Sequence, residues 1–91
     1  MTADDLTACL KALACPQRLQ ILAVMQTALN LGVTTSDLAS ELPLSQPTVS
    51  HHTAVLRDAG LITSRKHGTF SIHRAVPERL KEMGLAIGGL S

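Results

Sequence analysis

One phenylalanine, Phe70, is the whole aromatic content of this 91-residue chain, which has no tyrosine and no tryptophan. Proteins that hold single-stranded nucleic acid stack successive bases on several aromatic side chains, so the shortage excludes that class. Charged residues are also scarce, at 16%, yet no apolar run approaches the ~20 residues needed to cross a bilayer. The acidic start MTADDL lacks the basic region, apolar core and cleavage site of a signal peptide. A cytoplasmic protein without membrane attachment is expected. No nucleophile, base and acid stand at a catalytic spacing, no glycine loop is built to cradle phosphate, and no carboxylate pair suits a cleft. An enzyme is not expected.

The apolar fraction of 45% is too high for a disordered tail. The length allows one domain spanning residues 1–91, and a monomer of this size buries only about 60 to 65% of the surface its unfolded chain exposes. Burial against a second subunit would add to that. The net charge of +1 hides an uneven distribution. Residues 1–50 set Lys11 and Arg18 against Asp4, Asp5, Asp37 and Glu41, whereas residues 51–91 set Arg57, Arg65, Lys66, Arg74, Arg79 and Lys81 against Asp58, Glu78 and Glu82. The C-terminal half is the basic face. Its excess is small, so useful affinity for a polyanion needs two subunits on one site.

Along the chain, Thr2-Ala3-Asp4-Asp5 has the form of a helix cap with an acid at the third position, and Leu6, Cys9, Leu10 and Leu13 follow at helical spacing. A first helix over about 3–14 is expected. Pro16 suits a first helical position, and Leu19, Leu22, Ala23 and Gln26 carry a second helix to about Leu29 before Gly32. Two short helical patterns then flank the break Leu42-Pro43-Leu44-Ser45: one opens at Thr34 or Thr35, and the other runs from Gln46 to Ala59 with Gly60 closing it. This is the form of a helix-turn-helix, at about 35–59. After Gly60 the period turns to alternation, and Lys66-His67-Gly68 separates two strand-like runs within about 61–74. A hairpin after such a helix is a wing. Pro77 opens a last helix to about Ile87, weakened at its end by Gly84, Gly88 and Gly89.

The fourth helix carries short hydrogen-bonding side chains where a structural helix is charged or bland. Ser45 can cap it, and Gln46, Thr48, Ser50, His51 and Thr53 can reach base edges in a major groove, with Gln suited to a bidentate pair with adenine. Val49, Leu56 and Ala54 face inward. Arg57, Arg65, Lys66 and His67 are the matching phosphate or minor-groove contacts, each with a plain surface charge as its alternative. Phe70 is expected to be the apolar anchor of the wing, with a base-stacking platform as its alternative.

LKALACPQRLQIL, followed by TSDLASELPLSQPTVSHHTAVLRDAGLITSRKHGTFSIHRA, resembles the ArsR/SmtB family of small bacterial winged-helix repressors over roughly residues 6–76. The resemblance implies a mainly α winged helix-turn-helix of about five helices with a two-stranded wing. It further implies a homodimer joined through its first and last helices, at about 3–14 and 77–87, that binds a palindromic double-stranded DNA operator and is released by an inducer. The chain departs from the family's best-known sensors. Where metalloid-sensing members carry Cys-Val-Cys, this chain has Thr34, Thr35 and Ser36; where zinc-sensing members pair Asp, His and Glu on the last helix, it offers Pro77, Glu78, Arg79 and Glu82. No metal site and no required cofactor is assigned.

Cys9 and Cys15 remain as the candidate inducer or redox site, for a trivalent arsenical, a similar soft species or an oxidant. Cys15 precedes Pro16 at a helix start, where the macrodipole favours a thiolate. Cys9 lies on an apolar stripe, where a buried role competes with a sensing one. A six-residue separation on one helix puts the two about 240° and ~9 Å apart, so they meet only through the break at Pro16 or across a dimer axis. His51 and His52 diverge by about 100° and cannot chelate one ion together; His67 and His73 meet a metal only by chance geometry. The alternative readings are a winged-helix protein-interaction module without inducer sensing, and a repressor whose sensor site is lost.

Overall fold

The structure, a computed structural model, describes residues 1–28 and 31–90. Its elements are α1 (Ala3–Leu13), α2 (Pro16–Thr27), β1 (Val33–Thr34), α3 (Thr35–Glu41), α4 (Gln46–Asp58), β2 (Ile62–His67), β3 (Phe70–Ala75) and α5 (Pro77–Gly88). The expected end of the second helix at Leu29 lies outside the described residues. The mainly helical winged helix-turn-helix is present, with one addition: β1 joins the wing hairpin to make a three-stranded antiparallel sheet in the order β1-β3-β2.

Local chemistry sets the helix boundaries. Thr2 Oγ1 accepts from the Asp5 amide at 3.1 Å while the Asp5 carboxylate accepts from the Thr2 amide at 3.2 Å. Two of the orphan donors at the start of α1 are thereby satisfied. These bonds favour the ionised carboxylate and hold the Asp5 pKa below its ordinary value. Thr34 and Asp37 repeat the arrangement at α3, at 3.0 and 3.1 Å. The far end of α4 closes differently. The Leu61 amide donates to the Leu56 carbonyl at 3.0 Å and the Gly60 amide to the Arg57 carbonyl at 2.9 Å, with Gly60 at φ +77°. That is a Schellman ending, which needs a left-handed residue that glycine supplies without steric cost. It turns the chain directly from the fourth helix into the wing.

In the hairpin, Ile62 pairs with Ala75, Ser64 with His73 and His67 with Phe70. Gly68 and Thr69 form the two-residue turn, and Gly68 has the positive φ, +65°, required by such turns. β1 lies on the other edge of β3, with Val33 opposite His73. Two residues of strand leave no alternation to detect in the sequence.

The core gathers Leu6 and Cys9 of α1, Ile21, Leu22 and Met25 of α2, Leu38 of α3, Val49 and Leu56 of α4, Leu61 and Ile62 at the wing root, and Met83 of α5. Each fully buried aliphatic side chain of this size contributes roughly 1.5–3 kcal/mol. The apolar face of α2 differs from the expected one: Leu19 is 51% exposed, Ala23 and Gln26 are exposed, and Ile21, Leu22 and Met25 face the core. Leu10 of α1 is likewise exposed, and Ala12 is buried on the inward side. No helix is long and apolar enough to cross a membrane among the described residues.

Candidate nucleic-acid interface

The inward stripe of α4 consists of Val49, Thr53 and Leu56, spaced four and three residues apart. Seating that stripe turns Gln46, Thr48, Ser50 and His51 outward, and all four are exposed. Ser45 caps the helix: its Oγ accepts from the Thr48 amide at 3.2 Å and donates to Thr48 Oγ1 at 2.7 Å. Gln46 Nε2 donates to Ser36 Oγ at 3.3 Å, which ties the amide to α3 at the helix's leading end. The expectation for Thr53 is corrected. Its side chain is 1% exposed and its hydroxyl donates to the Ser50 carbonyl at 3.1 Å, so it packs in the core and cannot reach a base.

Beside α4 stands the wing, with Arg65, Lys66 and His67 exposed along β2. A cleft of about 370 Å³ runs between them, lined by Ser50 and Arg57 of α4, Ser64, Arg65 and Lys66 of β2, Ser71 and His73 of β3, and Thr35 and Thr53. Three cations and several hydroxyls line it, and no carboxylate does. Such a lining suits the sugar-phosphate backbone of a duplex. Phe70, expected to be the apolar anchor of the wing, is not packed in the core. It is 57% exposed, opposite the exposed His67 and next to the turn, and it lines a cleft with Thr35, Ser36, Gln46 and Ser50. Ile62 and Leu61 secure the wing root instead, at 2% and 0% exposure.

Sequence reasoning missed how this face is held together. His73 is 3% exposed; its Nδ1 lies 2.7 Å from Ser64 Oγ and its Nε2 lies 2.9 Å from Thr35 Oγ1. Arg57 Nη1 donates to the same Ser64 hydroxyl at 3.0 Å. A chain of polar contacts thus joins α4, both wing strands and the start of α3. Burial, followed by the neighbouring Arg57 charge, pushes the His73 pKa below the ordinary imidazole value. His52 is shifted the same way by burial and by the charges of Arg18 and His51, and its Nδ1 lies 3.3 Å from Arg18 Nη1. His52 therefore packs towards α2, and His51 points to solvent.

The two cysteines are not arranged as a pair. Cys9 is fully buried and its thiol donates to the Ala59 carbonyl at 3.4 Å, so it acts as a core residue closing onto the end of α4. That corrects its place in a sensor site. Cys15 caps α2 without a side-chain cap bond, is half-buried, and its thiol donates to Gln17 Oε1 at 3.3 Å. Among the described residues no group of three His, Cys, Asp or Glu side chains could hold a metal ion. One accessible thiol does not fit a three-thiolate arsenical site within a protomer.

Residues 15–64 match the family model described as bacterial regulatory protein, arsR family. An uncharacterized HTH-type transcriptional regulator of Methanocaldococcus jannaschii is 38% identical over 73 residues, covering 80% of each chain. The arsenical resistance operon repressor of Staphylococcus xylosus is 38% identical over 68 residues, or 75% of this chain and 62% of that one. Among solved structures, the homodimeric winged helix-turn-helix DNA-binding domain of a possible ArsR-family regulator from Mycobacterium bovis superposes with a TM-score of 0.78 at 24% identity, covering 96% of this chain and 79% of that one.

Proposed function

The chain belongs to the arsR family of bacterial regulatory proteins, and from that membership we propose that it is a homodimeric repressor of a palindromic DNA operator. The observation that carries this reading is the outward row Gln46, Thr48, Ser50 and His51 on a capped helix, flanked by the basic wing residues Arg65, Lys66 and His67 and by Arg57. Ser45 acts through the cap. The row supplies donors and acceptors for base edges, and the cations address phosphates, which orient the protein without reading sequence. Residues 35–59 form the helix-turn-helix of this single-domain reading, residues 61–74 the wing, and the helices near 3–14 and 77–87 the dimer contact. Exposed Leu10, Leu85 and Ile87 support that contact, at 44%, 73% and 45% exposure.

Selection from a random duplex pool tests the reading. The enriched sequence should be an inverted repeat with half-sites about one duplex turn apart. Binding to it should weaken about 10³-fold or more between roughly 50 and 200 mM salt if six or more phosphates are contacted. An interaction module without DNA recognition would enrich nothing. Release by a trivalent arsenical or an oxidant falls to Cys15, the accessible thiol. If Cys15→Ser is released from operator as readily as the wild type, the sensor reading gives way to a repressor without one.

A further inference from the structure

We infer that His73 is a positioning residue for operator discrimination: it completes a relay, Arg57 to Ser64 to His73 to Thr35, that fixes the recognition helix against the wing, and protonation of its ring breaks that relay. The inference rests on the operator-binding reading above. It assigns a role to a side chain that is 3% exposed.

The geometry leaves little freedom. A buried imidazole is costly unless both nitrogens are satisfied, and here each has a hydroxyl within hydrogen-bond distance, at 2.7 and 2.9 Å. The Ser64 oxygen already accepts from Arg57, so the Ser64 proton is directed to Nδ1 and Nε2–H donates to Thr35. The donors then all run one way, from a cation on α4 through β2 and β3 to the first residue of α3. A neutral ring, accepting at one nitrogen and donating at the other, carries this one-way chain without bringing a second cation to Ser64.

Protonation fills Nδ1 and turns it into a donor. The Ser64 oxygen can accept from both with its two lone pairs, but it then holds two cations, Arg57 and the imidazolium, close together, and their like charges repel. The groups around the ring offer no relief: Val33 of β1 lies opposite it, Thr35 comes from α3, Ser64 from β2 and Arg57 from α4, while Arg65 and Lys66 line the same cleft with the same sign of charge. Arg57 is displaced from Ser64, and the helix that reads bases loses its fixed angle to the wing. The depressed pKa of the buried ring agrees with this, because it keeps the relay intact at neutral pH and confines the loss to acid.

The test is the ratio of the dissociation constant for random duplex to that for the selected operator, measured on the full chain between about pH 7.5 and 5.0. Taking the ratio cancels any change in affinity that is common to all duplexes. The wild-type ratio should fall about tenfold as pH drops, the scale of one hydrogen bond to a charged group. His73→Gln should start low at neutral pH and stay flat. Ser64→Ala, which cuts the relay outside the ring, should lower the neutral ratio by about fivefold and remove most of the pH dependence. It decides the matter if His73→Gln does not fold. A wild-type ratio that is flat or rises in acid overturns the inference, as does a Ser64→Ala profile that tracks the wild type. Absence of operator preference at every pH overturns the repressor reading, and this inference with it.

Discussion

The face built by α3, α4 and the wing and the face built by α1 and α5 are finished to different degrees. On the first, every helix start is capped by a side chain, the cations stand along a hydroxyl-lined cleft, and a buried histidine ties three elements together. On the second, Leu85 and Leu90 stand 73% and 77% exposed, with Ile87 and Leu10 beside them in exposure. Isolated exposed leucines are ordinary, and Leu19 and Leu31 are exposed too; the exposed apolar residues of α1 and α5 are those available to the proposed dimer contact. A polar face that satisfies itself reads as a platform for a polar ligand. An apolar face left open reads as one half of an interface, so on the proposed reading one protomer supplies recognition and two supply affinity.

Breaking the α5 face should have the largest effect. Leu85→Asp should convert the dimer to a monomer by sedimentation and lower operator affinity by about 10²-fold or more, because linked half-site binding is lost, while the protomer keeps its helical circular dichroism. A variant that stays dimeric would place the interface elsewhere. Leu61→Ala removes a fully buried side chain at the wing root, where the two faces share a core. It should cost about 2–5 kcal/mol in denaturant unfolding, and a cost below 1 would mean the root is loosely packed.

Gln46→Ala should leave the fold intact and relax preference at one base pair of each half-site by about 1–3 kcal/mol. Lys66→Ala should weaken all duplexes alike. If the two variants behave identically, the division between reading and holding on this face is wrong. Acid sharpens the contrast, since all four histidines lie in α4 or the wing and none in α1 or α5. His73 and His52 have lowered folded-state pKa values, so the unfolded chain binds more protons below the ordinary value near 6.5. The stability they contribute is complete above that pH and is lost as pH falls through the lower folded values. Melting temperature should drop below about pH 6.5, and His73→Gln should reduce the drop. The smallest effect belongs to Thr53→Ser: a loss of about 0.5–1.5 kcal/mol in stability from one buried methyl, with base preference unchanged.

Much of the architecture is legible in the chain because local rules govern it. Thr2 with Asp5, Ser45 before Gln46, Gly60 after the fourth helix and Gly68 in the turn each act within a few residues, and each marks its boundary. The misplacements share another origin. Thr53 seemed polar enough for a base contact, yet it stands four residues after Val49 and three before Leu56, so the period already pointed inward and composition overrode it. Phe70 seemed apolar enough to be buried, but the hairpin carries it past the core. β1 and the relay are non-local: His73 meets Ser64 through strand register and Thr35 across 38 residues of sequence. No spacing rule along the chain announces either contact. Cys9 lost its sensing role for a similar reason, since only the packing of α1 onto the end of α4 closes it off.

The most direct test of the account is methylation protection of the selected operator by dimethyl sulfate, which reports guanine N7 in the major groove and adenine N3 in the minor groove. Guanine N7 protection is expected in two patches about one duplex turn apart. Protection confined to adenine N3, with guanine N7 left open, would contradict the placement of the fourth helix against base edges.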